Sequence, residues 1–171
     1  MSEFQKQNSS QKPAKYLWVR LLLLAYAYFL VEGFALCMLR PGDKIGLAFG
    51  AAWAVLLASL VIQLPKIAGR IFFGVTYFAM AGWTIAQTGY HTIFGKMMWI
   101  GDALLAGEGG AFLGDVLSTF KPFWYFAGVL LLAFGVVVLL FIPGGSRTWL
   151  QRSWAAAVSA LSILVLSLLP Q

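Results

Sequence analysis

Apolar residues run almost without interruption through five stretches of this chain, at about residues 17–39, 45–64, 71–89, 126–142 and 154–169. Each is near the roughly 20 residues that a helix needs to cross a bilayer core, so each predicts a membrane-spanning helix. The breaks between them are polar or rich in Pro and Gly: Arg40-Pro41-Gly42, Leu64-Pro65-Lys66 and Pro143-Gly144-Gly145. Residues 1–15 are polar and predict a disordered cytoplasmic tail. From 90 to 122 the pattern changes. Met97, Ile100, Leu104, Phe112, Val116 and Phe120 recur at three- and four-residue spacing, with Leu113 and Leu117 beside them, while Asp102, Glu108, Asp115 and Lys121 interrupt. The apolar runs here break within about 12 residues, too short for a sixth crossing, so this segment is expected to lie in the membrane surface. Gly107-Glu108-Gly109-Gly110 divides it, predicting short helices near 93–105 and 111–120. The fold class is therefore all-α: a polytopic membrane protein with five transmembrane helices and an extracellular interfacial amphipathic segment between helices three and four. The five-helix domain covers 16–169.

Composition sharpens this plan. Hydrophobic residues make up 61% and charged residues 11% of the chain, with a mean hydropathy of +0.84, far from the quarter of charged residues usual in soluble domains. The net charge of +6 would suggest nucleic acid in a soluble protein. Here the basic residues cluster at the ends of apolar runs, where they set orientation, and no nucleic-acid partner is expected. With the N-terminus inside, Lys6, Lys12, Lys15, Arg20, Lys66, Arg70, Arg147 and Arg152 fall on the cytoplasmic side, against Arg40, Lys44, Lys96 and Lys121 outside. Eight against four favours a cytoplasmic N-terminus, an extracellular C-terminus at Gln171 and an extracellular interfacial segment. The run after Arg20 is too long for a cleaved signal peptide, which predicts an uncleaved first span. Cys37 is the single cysteine, so no disulfide within the chain and no multi-cysteine metal site can form.

Candidate chemistry is sparse. Glu32 lies inside the first span, where an ionised group costs about 2.5–3.5 kcal/mol and should face protein, water or the interface. Gln87 is the most polar group of the third span and can bond across helices, as can Thr76, Thr84 and Thr88. Gly42, Gly46 and Gly50 at four-residue spacing offer a face for close contact with a partner helix. His91 is the only histidine, and the spacing of Asp102, Glu108 and Asp115 across a glycine-rich turn fixes no metal geometry, so no metal or catalytic residue is expected within the chain. Walker-type, HExxH and CxxC motifs are absent from the sequence.

The glutamate-bearing first span (Leu30-Val31-Glu32-Gly33-Phe34), the third span running into Gln87-Thr88-Gly89-Tyr90-His91-Thr92-Ile93-Phe94-Gly95, and the stretch Gly107-Glu108-Gly109-Gly110-Ala111-Phe112-Leu113 resemble the membrane portion of lipoteichoic acid synthase-like proteins. That family joins five spans to an outer sulfatase-like domain of the alkaline phosphatase superfamily. The resemblance implies a bacterial cell membrane location. It also implies a role as the membrane domain of a phosphoglycerol transferase, with the catalytic domain, its threonine nucleophile and its manganese or other divalent metal lying beyond Gln171. It implies membrane lipids, phosphatidylglycerol among them, as partners, with Tyr90, His91, Phe94 and Trp99 presenting headgroups. Two other readings stay open: a stand-alone membrane protein that assembles through the glycine face, and a small transporter subunit using Glu32 and Gln87 as a polar path.

Overall fold

A computed structural model describes residues 2–40, 42–99, 101, 114, 118, 122–141 and 156–163, with the backbone alone described for 2–17 and 141. Among them there are helices and short connections but no strand. The helices are α1 (Ser2–Leu39), α2 (Lys44–Gln63), α3 (Lys66–Phe94) and α4 (Pro122–Phe141), followed by a shorter α5 over 156–163.

α1 begins at Ser2, so the residues expected to form a disordered tail are helical. Glu, Gln and Lys lose little rotamer freedom in a helix, and a helix nucleated in the apolar run extends at one hydrogen bond per residue fixed. The helix stops after Leu39, where Gly42 turns the chain at φ +91. Asp43 then caps α2, its Oδ1 accepting from the Gly46 N–H at 2.8 Å. This short connection folds α1 and α2 into an antiparallel hairpin. α2 ends because Pro65 forces Leu64 into an extended conformation (ψ 152). α3 ends at Gly95, whose left-handed φ of +67 lets its N–H reach the His91 carbonyl at 2.9 Å.

Helix directions follow from the cross-contacts. Gly74 lies beside Leu139 and Gly128 beside Ile85, so α3 and α4 run antiparallel, and Tyr28 joins α1 to α3 at Phe73 and Thr76. Tyr26 meets Phe134 while Phe34 meets Trp124, so α4 runs antiparallel to α1. The centre is aromatic: the buried rings of Tyr28, Phe73 and Tyr77 lie 5.2–6.2 Å apart, with Leu24, Val31 and Val138 buried around them. Tyr77 fills a notch at Gly135, where any Cβ would collide with its ring, and its hydroxyl donates to the Leu131 carbonyl at 2.8 Å.

Among the described residues, three segments are long and apolar enough to cross a membrane: Trp18–Leu39, Lys44–Gln63 and Pro122–Leu140. α3 is not one of them, although its 29 residues pack along α1, α2 and α4. It is the amphipathic helix of the set, and several of its polar side chains bond within the protein. The hydroxyls of Thr76, Thr88 and Thr92 donate to carbonyls four residues back at 2.7–2.8 Å, and Phe73, Tyr77, Ala81, Thr84 and Thr88 form its buried face.

Two expectations change here. The third helix is longer than 71–89 at both ends, so Tyr90, His91 and Phe94 belong to its last turns. A helix near 93–105 does not begin where expected, because Gly95 stops α3 and residues 97–99 are irregular. Of the remainder of that helix only residue 101 is described, and of the one near 111–120 only 114 and 118, all three helical; Asp102, Glu108, Asp115 and half of the fifth run lie outside the described residues.

Candidate functional site

The first apolar run has two faces. Leu24, Ala27, Tyr28 and Val31 are buried in the bundle, while Tyr26, Leu30, Gly33, Cys37 and Arg40, three or four residues apart, lie on the other side and floor a groove. One wall comes from the start of α2 at Asp43, Lys44 and Leu47, the other from α4 at Trp124, Ala127, Leu130 and Phe134. The groove has a volume of about 1180 Å³, above the 300–1,000 Å³ usual for small-molecule pockets. From Tyr26 to Arg40 the floor is about 21 Å long at 1.5 Å per helical residue. The Tyr26–Phe134 edge-to-face pair (6.0 Å) marks its inner end, and Phe34–Trp124 (6.2 Å) braces the far wall. Gly33 keeps the floor open: a Cβ placed there meets nothing within 4 Å.

Charged groups gather at one end only. Arg40, Asp43 and Lys44 rim the mouth. The Asp43 carboxylate is divided, Oδ1 capping α2 and Oδ2 lying 4.0 Å from Arg40 Nη1. The Arg40 side chain is 68% exposed and that of Asp43 29%, so the ion pair is loose and two cations face one carboxylate. The groove itself offers no nucleophile paired with a base. A long apolar slot with a cationic mouth can hold an amphiphile, tail along α1 and anionic head between Arg40 and Lys44.

The candidate side chains singled out from the sequence, Glu32, Gln87, Tyr90, His91, Phe94 and Trp99, do not line the groove. Glu32 turns towards α2, its Cβ and Cγ packed over Gly50. Gln87 is engaged twice by the backbone of Met98, donating to its carbonyl at 3.0 Å and accepting from its N–H at 2.9 Å. Glu32 thus packs against α2, and Gln87 bonds the connection that follows α3. Tyr90, Phe94, Lys96 and Trp99 surround the end of α3, with the Tyr90 and Phe94 rings 4.5 Å apart and Lys96 Nζ 5.9 Å from the Tyr90 centroid. His91 shares that turn, and Trp99 is 77% exposed; none of these four aromatic or imidazole side chains lines the groove. The glycine face is used within the chain: Gly46 lies against Asp43 and Leu36, Gly50 against Glu32, and Gly42 makes the turn.

Sequence reasoning missed Arg40, Asp43 and Lys44 as a site. Their signal was present in Arg40-Pro41-Gly42-Asp43-Lys44, but read only as a stop and an orientation mark. Comparison with protein-family models, with curated proteins and with solved structures finds no match to this chain.

Proposed function

We infer that this chain is a multi-pass membrane protein that seats one phospholipid, anionic head at the mouth and tail along α1, for an enzyme working on that lipid. The observation that carries this reading is the match between groove and leaflet. A single leaflet with its headgroup layer is about 20–22 Å deep, half of a 40–45 Å bilayer. The groove floor has that length, with charge confined to one end. Tyr26 lies near the middle of the Trp18–Leu39 segment, so the slot ends near the midplane.

The topology of five spans belongs to this proposal. α2 finishes at one end of the bundle and α4 starts at the other, beside Phe34, so α3 carries the chain across despite its polarity. The run at 154–169 supplies the fifth crossing. With the N-terminus cytoplasmic, the mouth faces outward and the segment 90–122 lies on the same side. The narrower form is the one implied by the resemblance: a membrane domain of a phosphoglycerol transferase in a bacterial cell membrane, positioning phosphatidylglycerol for an outer catalytic domain.

Gly33→Leu is the direct test. It fills the groove without touching the packed face, and replacing a mid-helix glycine should stabilise α1 by up to about 1 kcal/mol. The purified, delipidated protein is titrated with phosphatidylglycerol and bound lipid is counted by native mass spectrometry. Wild type is expected to retain one lipid, and Gly33→Leu to lose it while melting no lower. Equal retention by both would refute the groove as the site.

A further inference from the structure

The mouth of the groove contains a conflict that the lipid-seating role alone does not require. Two cations, Arg40 and Lys44, would suffice to hold a phosphate, yet Asp43 stands between them in sequence and faces Arg40. Its carboxylate does two jobs of different strength. Oδ1 makes a 2.8 Å bond to the Gly46 N–H, a cap that fixes the start of α2. Oδ2 reaches Arg40 only at 4.0 Å, with the guanidinium mostly exposed. The strong contact is local and structural; the weak one engages an exposed cation of the mouth.

Resting on the lipid-seating reading above, we propose that Asp43 is an internal competitor for the headgroup phosphate, holding Arg40 loosely and yielding it when an anionic phospholipid enters the groove. The chemistry follows from charge and geometry. A phosphate accepts two N–H bonds from a guanidinium side by side, and outbids a single carboxylate oxygen at the limit of ion-pair distance. Lys44, on the first turn of α2, offers a second cation. Because the carboxylate remains beside the phosphate after Arg40 has swung across, it repels the bound head and speeds its release. A site that passes lipids onward needs exchange rather than permanent capture, and Asp43 supplies it without giving up the cap.

The occupant is a lipid and not a free anion, because the apolar slot behind the mouth contributes most of the contact area. Inorganic phosphate is therefore expected not to displace phosphatidylglycerol at millimolar concentration. Displacement by phosphate at that level would overturn the assignment of the mouth to a lipid head.

Asp43→Asn separates the two jobs, since Asn caps a helix about as well as Asp but carries no charge. In the full chain, titrated with phosphatidylglycerol and read by native mass spectrometry, Asp43→Asn is expected to tighten binding roughly two- to fivefold, the range set by an exposed ion pair, and to slow release. Arg40→Gln is expected to weaken binding, and most of the Asp43→Asn gain should vanish in the Arg40→Gln background. A gain of equal size in both backgrounds would mean simple charge removal and overturn the competitor role; so would no gain in Asp43→Asn with an unchanged melting temperature. If Asp43→Asn folds poorly, Asp43→Ser, also a capping residue, is held to the same expectation. Wild type that retains lipid while Asp43→Asn matches it refutes this proposal alone. Wild type that retains none refutes the lipid-seating reading with it.

Discussion

The glycines of this protein show how one residue type serves opposite ends. Gly135 and Gly50 are notches. A side chain at 135 would strike the ring of Tyr77, and one at 50 would strike Glu32. Gly135→Ala should therefore destabilise by about 1–3 kcal/mol through overpacking, more if the Tyr77 bond to Leu131 is lost. Gly82, with nothing within 4 Å of a built Cβ, is the contrast: Gly82→Ala should be neutral or gain up to about 1 kcal/mol. Thermal unfolding in detergent measures both, and equal effects would refute the notch. Glu32 is explained by the same packing. Gly50→Ala should destabilise, and Glu32→Ala in that background should restore part of the loss; strictly additive losses in the double mutant would show that the two positions do not touch.

At the scale of elements, α3 holds the bundle together while carrying more polar groups than α2 or α4. Its threonines bond their own helix, its tyrosine bonds α4, and its Gln87 clasps the connection that follows. Gln87→Ala removes both bonds to Met98, each worth about 1 kcal/mol net. Hydrogen exchange at the Met98 amide should accelerate roughly tenfold or more, while exchange within α1 and α2 stays unchanged. Unchanged exchange at Met98 would show that the clasp does not persist in solution. The end of α2 was legible because Pro65 acts locally. The end of α3 was not. Gly89 and Gly95 both sit where a helix could stop, and only the φ of +67 at Gly95 decides between them. α1 also runs back through the polar residues before the first apolar run: polarity argues against burial, but it does not prevent a helix already started in the apolar run from extending.

For the whole molecule, a membrane bundle could be read from the lengths of the apolar runs, and among the described residues three helices are long and apolar enough to cross a bilayer. The groove could not be read. Its floor, its two walls and its charged mouth come from α1, α2 and α4, residues up to about 100 positions apart in the chain, and on each helix alone the lining residues look like ordinary lipid-facing positions. Acidic and polar residues drew attention to Glu32 and Gln87, yet packing gave both of them structural partners. What assembles a site here is the antiparallel placement of α4 beside α1, fixed by Tyr26–Phe134 and Phe34–Trp124. Cys37, the chain's single cysteine, is exposed and lies in the groove, which makes it a native reporter of occupancy. The most direct measurement is its alkylation rate by a small maleimide in detergent as phosphatidylglycerol is added. A saturable slowing, absent in Gly33→Leu, is the expected result; a rate that stays constant across the titration would contradict the claim that this groove holds a lipid.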